Sequence, residues 1–251
     1  MPLSEEQQHN KYIFNVTYEQ IVLDALKKPK TRKKLEEIKE KTLLTGKEYA
    51  FGICSDGKIT KMIEGNENSV DARDIVSECN NKVDLHIHSH PHSYPDKDRN
   101  ISYPSEADWF MDLWMQPKLS SCFYDADYDT IDCFTTPARI RNKYVPLIKK
   151  AETEANSYVA SYMYARDEED KKRYSDMYIK KKAEYIKNVN EAVKEVITDI
   201  YPEYDFKDFA WPSPIDTQGH ELYMSLAKTF PKWGNYNGVW LAKYDFKDLY
   251  K

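Results

Sequence analysis

The chain has 251 residues, 41% of them apolar and 31% charged, and a formal net charge of −5. That length can bury a full core, the acidic balance argues against a general nucleic-acid binder, and no apolar run approaches the eighteen or so residues of a membrane-spanning helix. The first ten residues, Met1 to Asn10, are polar and acidic rather than basic and then apolar, so no export signal is read and a cytoplasmic location is expected.

Taken in chain order, apolar residues from Asn15 to Leu43 recur at helical spacing with a break at Pro29, which predicts one or two helices. Lys27, Lys28, Lys30, Arg32, Lys33 and Lys34 form a local basic cluster there, read as a solvated helix start. Tyr49 to Cys54, the turn Ser55-Asp56-Gly57 and Ile59 to Ile63 read as a hairpin. Val70 to Cys79 follows as a short helix, Lys82 to His88 as a strand and Ser105 to Met115 as a helix. Ser120 to Thr136 holds two further strands about the polar stretch Asp125 to Asp129. Residues 1–137 are therefore expected to form an α/β domain around a mixed sheet flanked by helices.

Beyond Pro137 the pattern changes. Ile148, Ala151, Ala155, Val159 and Met163, then Ile186, Val189, Val193, Val196 and Ile200, recur at three- and four-residue steps. They predict two long antiparallel helices, with Arg166 to Lys172 as the charged stretch between them and Pro202 as the stop. The last fifty or so residues are rich in aromatics, among them Phe206, Trp211, Tyr223, Trp233 and Trp240, which read first as packing. Residues 138–251 are thus a helical hairpin and an aromatic-rich extension. Cys54, Cys79, Cys122 and Cys133 contain no Cys-x-x-Cys pair and are expected to be buried free thiols. Asn15-Val16-Thr17 and Asn100-Ile101-Ser102 match the glycosylation pattern, which has no meaning without export.

The chemistry concentrates in Val83-Asp84-Leu85-His86-Ile87-His88-Ser89-His90-Pro91-His92, which holds four of the chain's six histidines at alternate positions. Alternate side chains of a strand share a face, so a His-x-His pair presents two imidazoles side by side to one metal ion. His86 with His88 has the same spacing as His88 with His90. The proline after His90 favours the second pair and leaves His86 and His92 as outer partners. A catalytic zinc takes three protein ligands and keeps a fourth position open. Asp108, in Pro104-Ser105-Glu106-Ala107-Asp108 at a helix start, can supply the third, although Ser105 and Asp108 alone would pass for a capping box. Glu48, at the start of the first strand, would by itself be a surface residue.

Glu at a strand start, then His-Ser-His-Pro, then Pro-Ser-x-x-Asp resemble, in order and residue type, the signature of the JAMM (MPN-type, JAB-domain) zinc metallopeptidases, over roughly residues 30 to 137. The resemblance implies one zinc ion per chain held by His88, His90 and Asp108, with Glu48 as general base and Ser105 stabilising the oxyanion. It implies hydrolysis of a peptide or isopeptide bond, often to ubiquitin or a ubiquitin-like modifier. The segment from Pro91 to Ser105 is about seven residues longer than the family's usual spacing and reads as a substrate-contacting loop insertion. Residues 140–251 are expected to offer a partner or dimer contact and to recruit substrate. Two other readings compete. One is a non-catalytic MPN-type scaffold or zinc-binding interaction protein. The other is a phosphoesterase of the polymerase-and-histidinol-phosphatase type, suggested by Asp84-Leu85-His86-Ile87-His88, which needs more downstream histidines than His220 provides.

Overall fold

The computed structural model describes residues 19–67, 69–91, 106–200, 235–236 and 239–250. The chain forms two compact units, Met1–Thr135 with Phe230–Lys251, and Thr136–Thr229. In the first unit, helical residues 19–27 (α1) and Pro29–Thr45 (α2) lead into β1 (Tyr49–Cys54), β2 (Ile63–Glu64) and the short helix α3 (Arg73–Glu78). There follow β3 (Val83–His90), α4 (Glu106–Met115), β4 (Ser120–Asp125) and β5 (Thr130–Thr135). The unit is completed by β6 (Asn235–Tyr236), β7 (Val239–Asp245) and a 3-10 turn at Phe246–Tyr250.

These strands make one seven-stranded mixed sheet in the order β2-β1-β3-β4-β5-β7-β6. Only β3 and β4 pair in parallel; the other neighbours are antiparallel. Parallel neighbours cannot be joined by a tight turn, and α4 lies in the crossover between them. The fold class is therefore the mixed α/β one expected.

One sheet face is largely apolar. Phe51, Leu85, Ile87, Cys122, Tyr124 and Ile131 pack there with Val22 and Leu26 of α1 and Leu35 and Ile38 of α2. Pro29 opens α2, where a missing N–H costs nothing. Gly46 closes it at φ 66°, its N–H bonded to the Thr42 carbonyl at 2.9 Å, so the helix stops two residues short of Glu48. The opposite face carries the histidines. There Ala50, Cys54 and Val83 pack with Ile75 of α3 and with Met115. Gly52 makes this seating of α3 possible, because a Cβ on it would lie 2.3 Å from Cγ2 of Ile75.

Three expectations for this unit need correction. The return arm of the first hairpin is a strand only at Ile63–Glu64, with an isolated bridge between Ile53 and Ile59. Thr60 accounts for the irregularity: its hydroxyl accepts the Gly52 N–H at 2.8 Å and donates to the Lys61 carbonyl at 3.1 Å, competing with the regular ladder. The cysteines are not free thiols. Cys54 pairs with Cys79, and Cys122 with Cys133 across β4 and β5, where the two residues stand directly opposite. Finally, part of the segment assigned to the aromatic extension belongs to the sheet. β7 pairs with β5 along its length and buries Trp240 and Leu241. Phe206, Trp211, Tyr223 and Trp233 lie outside the described residues, as does Pro202.

The second unit is a helical hairpin, α5 (Ala138–Tyr164) and α6 (Glu168–Ile200). Asp167 starts α6 by accepting the Asp170 N–H at 2.7 Å, and Glu168, Glu169 and Asp170 complement the helix dipole in its first turn. The stretch expected to be a turn as far as Lys172 is therefore already helical from Glu168. Ion pairs Lys143–Glu195 at 2.7 Å and Lys181–Glu154 at 2.6 Å show the antiparallel register. Ile148, Ala151 and Ala155 on α5 and Val189, Val193, Val196 and Ile200 on α6 are buried as their spacing suggests. Val159 and Met163 are not, being 42% and 77% exposed, since the apolar seam gives way to tyrosine and charge near the turn. Among the described residues no helix is long and apolar enough to cross a membrane.

Candidate metal centre

β3 places His86, His88 and His90 on one face, as alternation requires. Its end is pinned from the other face by Ser89, which is fully buried. The Ser89 hydroxyl oxygen accepts the Tyr49 N–H at 2.9 Å and the Thr42 hydroxyl at 2.6 Å, tying the strand to β1 and α2. The His90 carbonyl accepts the Ala126 N–H at 3.1 Å. The histidine pair therefore stands on a clamped strand end, not on a free loop. Below it Phe123 of β4, opposite His88 in register, stacks on the His90 ring at 4.3 Å.

α4 brings Asp108 to the pair. Nε2 of His88 lies 2.8 Å from one carboxylate oxygen of Asp108, and Nε2 of His90 lies 3.4 Å from the other. The two Nε2 atoms are 2.9 Å apart. Ligands at about 2.0–2.1 Å from a tetrahedral zinc stand about 3.3 Å from one another, close to these separations. Two ring nitrogens turned toward each other can share only one proton, so the donor set fits a cation at its centre. His88, His90 and Asp108 are thus a group that could hold a metal ion. His86 is not in it: its ring stacks behind His88 at 5.2 Å.

The charges reinforce this arrangement. Burial opposes charge on Asp108, but the two imidazoles outweigh it and hold the carboxyl well below its usual range. Burial likewise disfavours the His90 cation, yet Asp108, with Glu48 and Asp125, lifts the ring to about 9. Burial takes His86 down to about 3, so it is neutral. A bound cation would take the place of the His90 proton opposite Asp108.

Glu48 is half-buried, one residue before β1. Gly65 N–H donates to its carbonyl, and its own N–H donates to the Asn66 carbonyl, each at 2.8 Å. Since Ala50 stands opposite His88, the same register carried back two residues sets Glu48 opposite His90. Burial raises its carboxyl above the ordinary value, while His88 and His90 are near enough to pull it down. Ser105 and His92 lie outside the described residues.

Several contributors escaped the sequence reading: Ser89, Phe123, and the row that continues across the face from His88 through Phe123 to Asp132 and Lys243. Asp132 is 1% exposed, with Lys243 at 3.6 Å. Burial raises its carboxyl to about 7, against the pull of Lys243 and Thr130 and with the help of Asp125. The folded chain therefore holds this proton between roughly pH 4 and 7 while the unfolded chain has lost it. Stability from this group is greatest on the acid side and falls as pH rises from about 4 to 7, by up to about 1.4 kcal/mol per pH unit, levelling off above that. Asp132→Asn is expected to flatten that slope in urea unfolding at pH 5, 6, 7 and 8, and an unchanged slope would contradict the assignment.

Comparison with family models, curated proteins and solved structures finds no match to this chain.

Proposed function

We propose that this chain is a zinc-dependent hydrolase of peptide or isopeptide bonds, working in the manner of the JAMM metallopeptidases that its motifs resemble. The observation that carries the reading is the convergence of His88, His90 and Asp108 within bonding range of one ion, with Glu48 beside them. A zinc ion there would supply a Lewis acid and lower the pKa of a coordinated water to about 7. His88, His90 and Asp108 would hold the ion, and His90, 23% exposed, is the member of the group that solvent reaches.

Glu48 acts as general base. Its carboxylate takes a proton from the water whose oxygen attacks the substrate carbonyl carbon, and delivers it to the leaving nitrogen as the C–N bond breaks. Burial suits it to both tasks by raising its proton affinity, while the neighbouring imidazoles keep it available as a base. Ser105 keeps the oxyanion-stabilising role that the resemblance implies. Among the described residues His88, His90 and Asp108 are the one such group, which favours a single-ion hydrolase over a phosphoesterase needing many more ligands.

The test is zinc content per chain, together with cleavage of fluorogenic ubiquitin-type isopeptide and peptide substrates before and after chelation. One zinc and chelator-sensitive cleavage are expected. Zinc without cleavage across a broad panel points to the scaffold instead, and absence of zinc removes the metal reading altogether.

A further inference from the structure

His86 lies beside the proposed zinc ligands without joining them. It is 2% exposed, and neither of its ring nitrogens has a hydrogen-bond partner among the described residues. The adjacent Nδ1 of His88 is buried and unpartnered in the same way. Most buried polar groups are satisfied, and each one left without a partner costs about 1–3 kcal/mol. The two rings are neighbours, so one group between them could serve a nitrogen of each.

The two rings cannot satisfy each other directly. They are stacked face to face, 5.2 Å between centroids and 17° from parallel, so their nitrogens do not meet edge to edge. Nor do the neighbours on the sheet face help. Opposite His86 on β1 is Gly52, which has no side chain, and on β4 is Ser121, whose hydroxyl proton is committed to Asp112 at 2.9 Å. A ligating histidine ordinarily donates its second ring N–H to an outer acceptor, which fixes its tautomer and orientation. If His88 ligates through Nε2, its Nδ1 carries that proton.

We propose that His86 is a positioning residue for the metal site, sharing one buried water with Nδ1 of His88 and so holding His88 with Nε2 free to ligate. The inference rests on the metal reading above. The water accepts the His88 Nδ1–H and donates to a ring nitrogen of His86, which is an acceptor at one nitrogen and a donor at the other. A ring selected only for stacking would not need those nitrogens.

His86→Phe and His86→Gln separate the two roles. Phenylalanine keeps the stacked ring without its nitrogens, and glutamine keeps polar atoms without the ring. Zinc affinity is read by competition with a chromophoric chelator, and folding by the thermal midpoint of the zinc-free protein. His86→Phe is expected to keep the zinc-free thermal midpoint near that of wild type, since it preserves the stacked, buried ring, yet to bind zinc about 10 to 100-fold more weakly. His86→Gln is expected to lose less than that tenfold lower bound in zinc affinity, because its amide can keep the outer hydrogen bond. Wild-type affinity in His86→Phe, or the reverse order of the two variants, overturns the proposal and leaves the metal reading intact. A wild type that takes up no zinc overturns both.

Discussion

Alanine at His88 is expected to abolish zinc uptake and hydrolysis together, whereas glutamine at Glu48 is expected to leave zinc bound and remove hydrolysis alone. The separation follows from position. His88 is 3% exposed and turns Nε2 toward both His90 and Asp108, so its loss removes one of the three groups proposed to hold the ion. The drop in affinity should exceed the 10 to 100-fold that follows loss of an outer partner. Asp108→Ala should behave alike and also leave the paired imidazoles without their counter-charge. Glu48 supplies no ligand. An amide in place of its carboxylate would keep the side-chain shape but accept no proton, and a lost general base costs roughly 10²–10⁴ in rate. Zinc analysis and turnover on the same preparations decide the matter. A Glu48→Gln protein that still turns over at the wild-type rate would remove Glu48 from the chemistry, and zinc retained by His88→Ala would remove the ligand assignment.

The second large effect concerns the disulfides. Alkylation of the denatured, unreduced protein is expected to label none of the four cysteines, and to label all four after reduction. Cys54–Cys79 closes a loop of separation 25 and Cys122–Cys133 one of 11. By the loop-closure argument each contributes about 3 kcal/mol, so reduction of both should lower the thermal midpoint by on the order of 10 °C or more. Labelling of four thiols without reduction would return the cysteines to the free state expected from their spacing. Paired cysteines persist in oxidising surroundings. The same measurement on protein taken from its native cells therefore also tests the cytoplasmic location expected from Met1 to Asn10.

One of these pairs was legible in the hairpin, although all four cysteines were expected to be free thiols. A hairpin that closes between Asp125 and Thr130 must set Cys122 against Cys133, because each step outward moves both strands by one residue. The other was not. Cys79 meets Cys54 only because α3 sits on Gly52 and ends beside β1, a tertiary fact with no local signal. The histidines were legible for the opposite reason: period two on a strand is a local property, and β3 obeys it through His90. Pro91 favoured His88 with His90 over His86 with His88, and Asp108, whose approach depends on the crossover through α4, stands with that pair. Ser89 gives no sign of its clamp, since a serine between two histidines looks the same whether its hydroxyl meets solvent or two buried donors. β7 was hidden by distance, its partner strand lying a whole helical unit earlier in the chain.

That distance has a bearing on how the molecule comes to be made. β5 must wait for β7 across roughly a hundred residues of intervening chain, a long-range pairing of the kind that slows folding. During synthesis β1, β3, β4 and β5 emerge first, and the sheet then has an unpaired border at β5, with Ile131 and Cys133 beneath it awaiting the cover of Ala242 and Tyr244. The hairpin of α5 and α6, whose chain is complete by Ile200, has time to form in between. Nascent chains halted before residue 239 would thus carry an open, sticky strand edge and depend on chaperones, and only release of the closing strand would seal the domain.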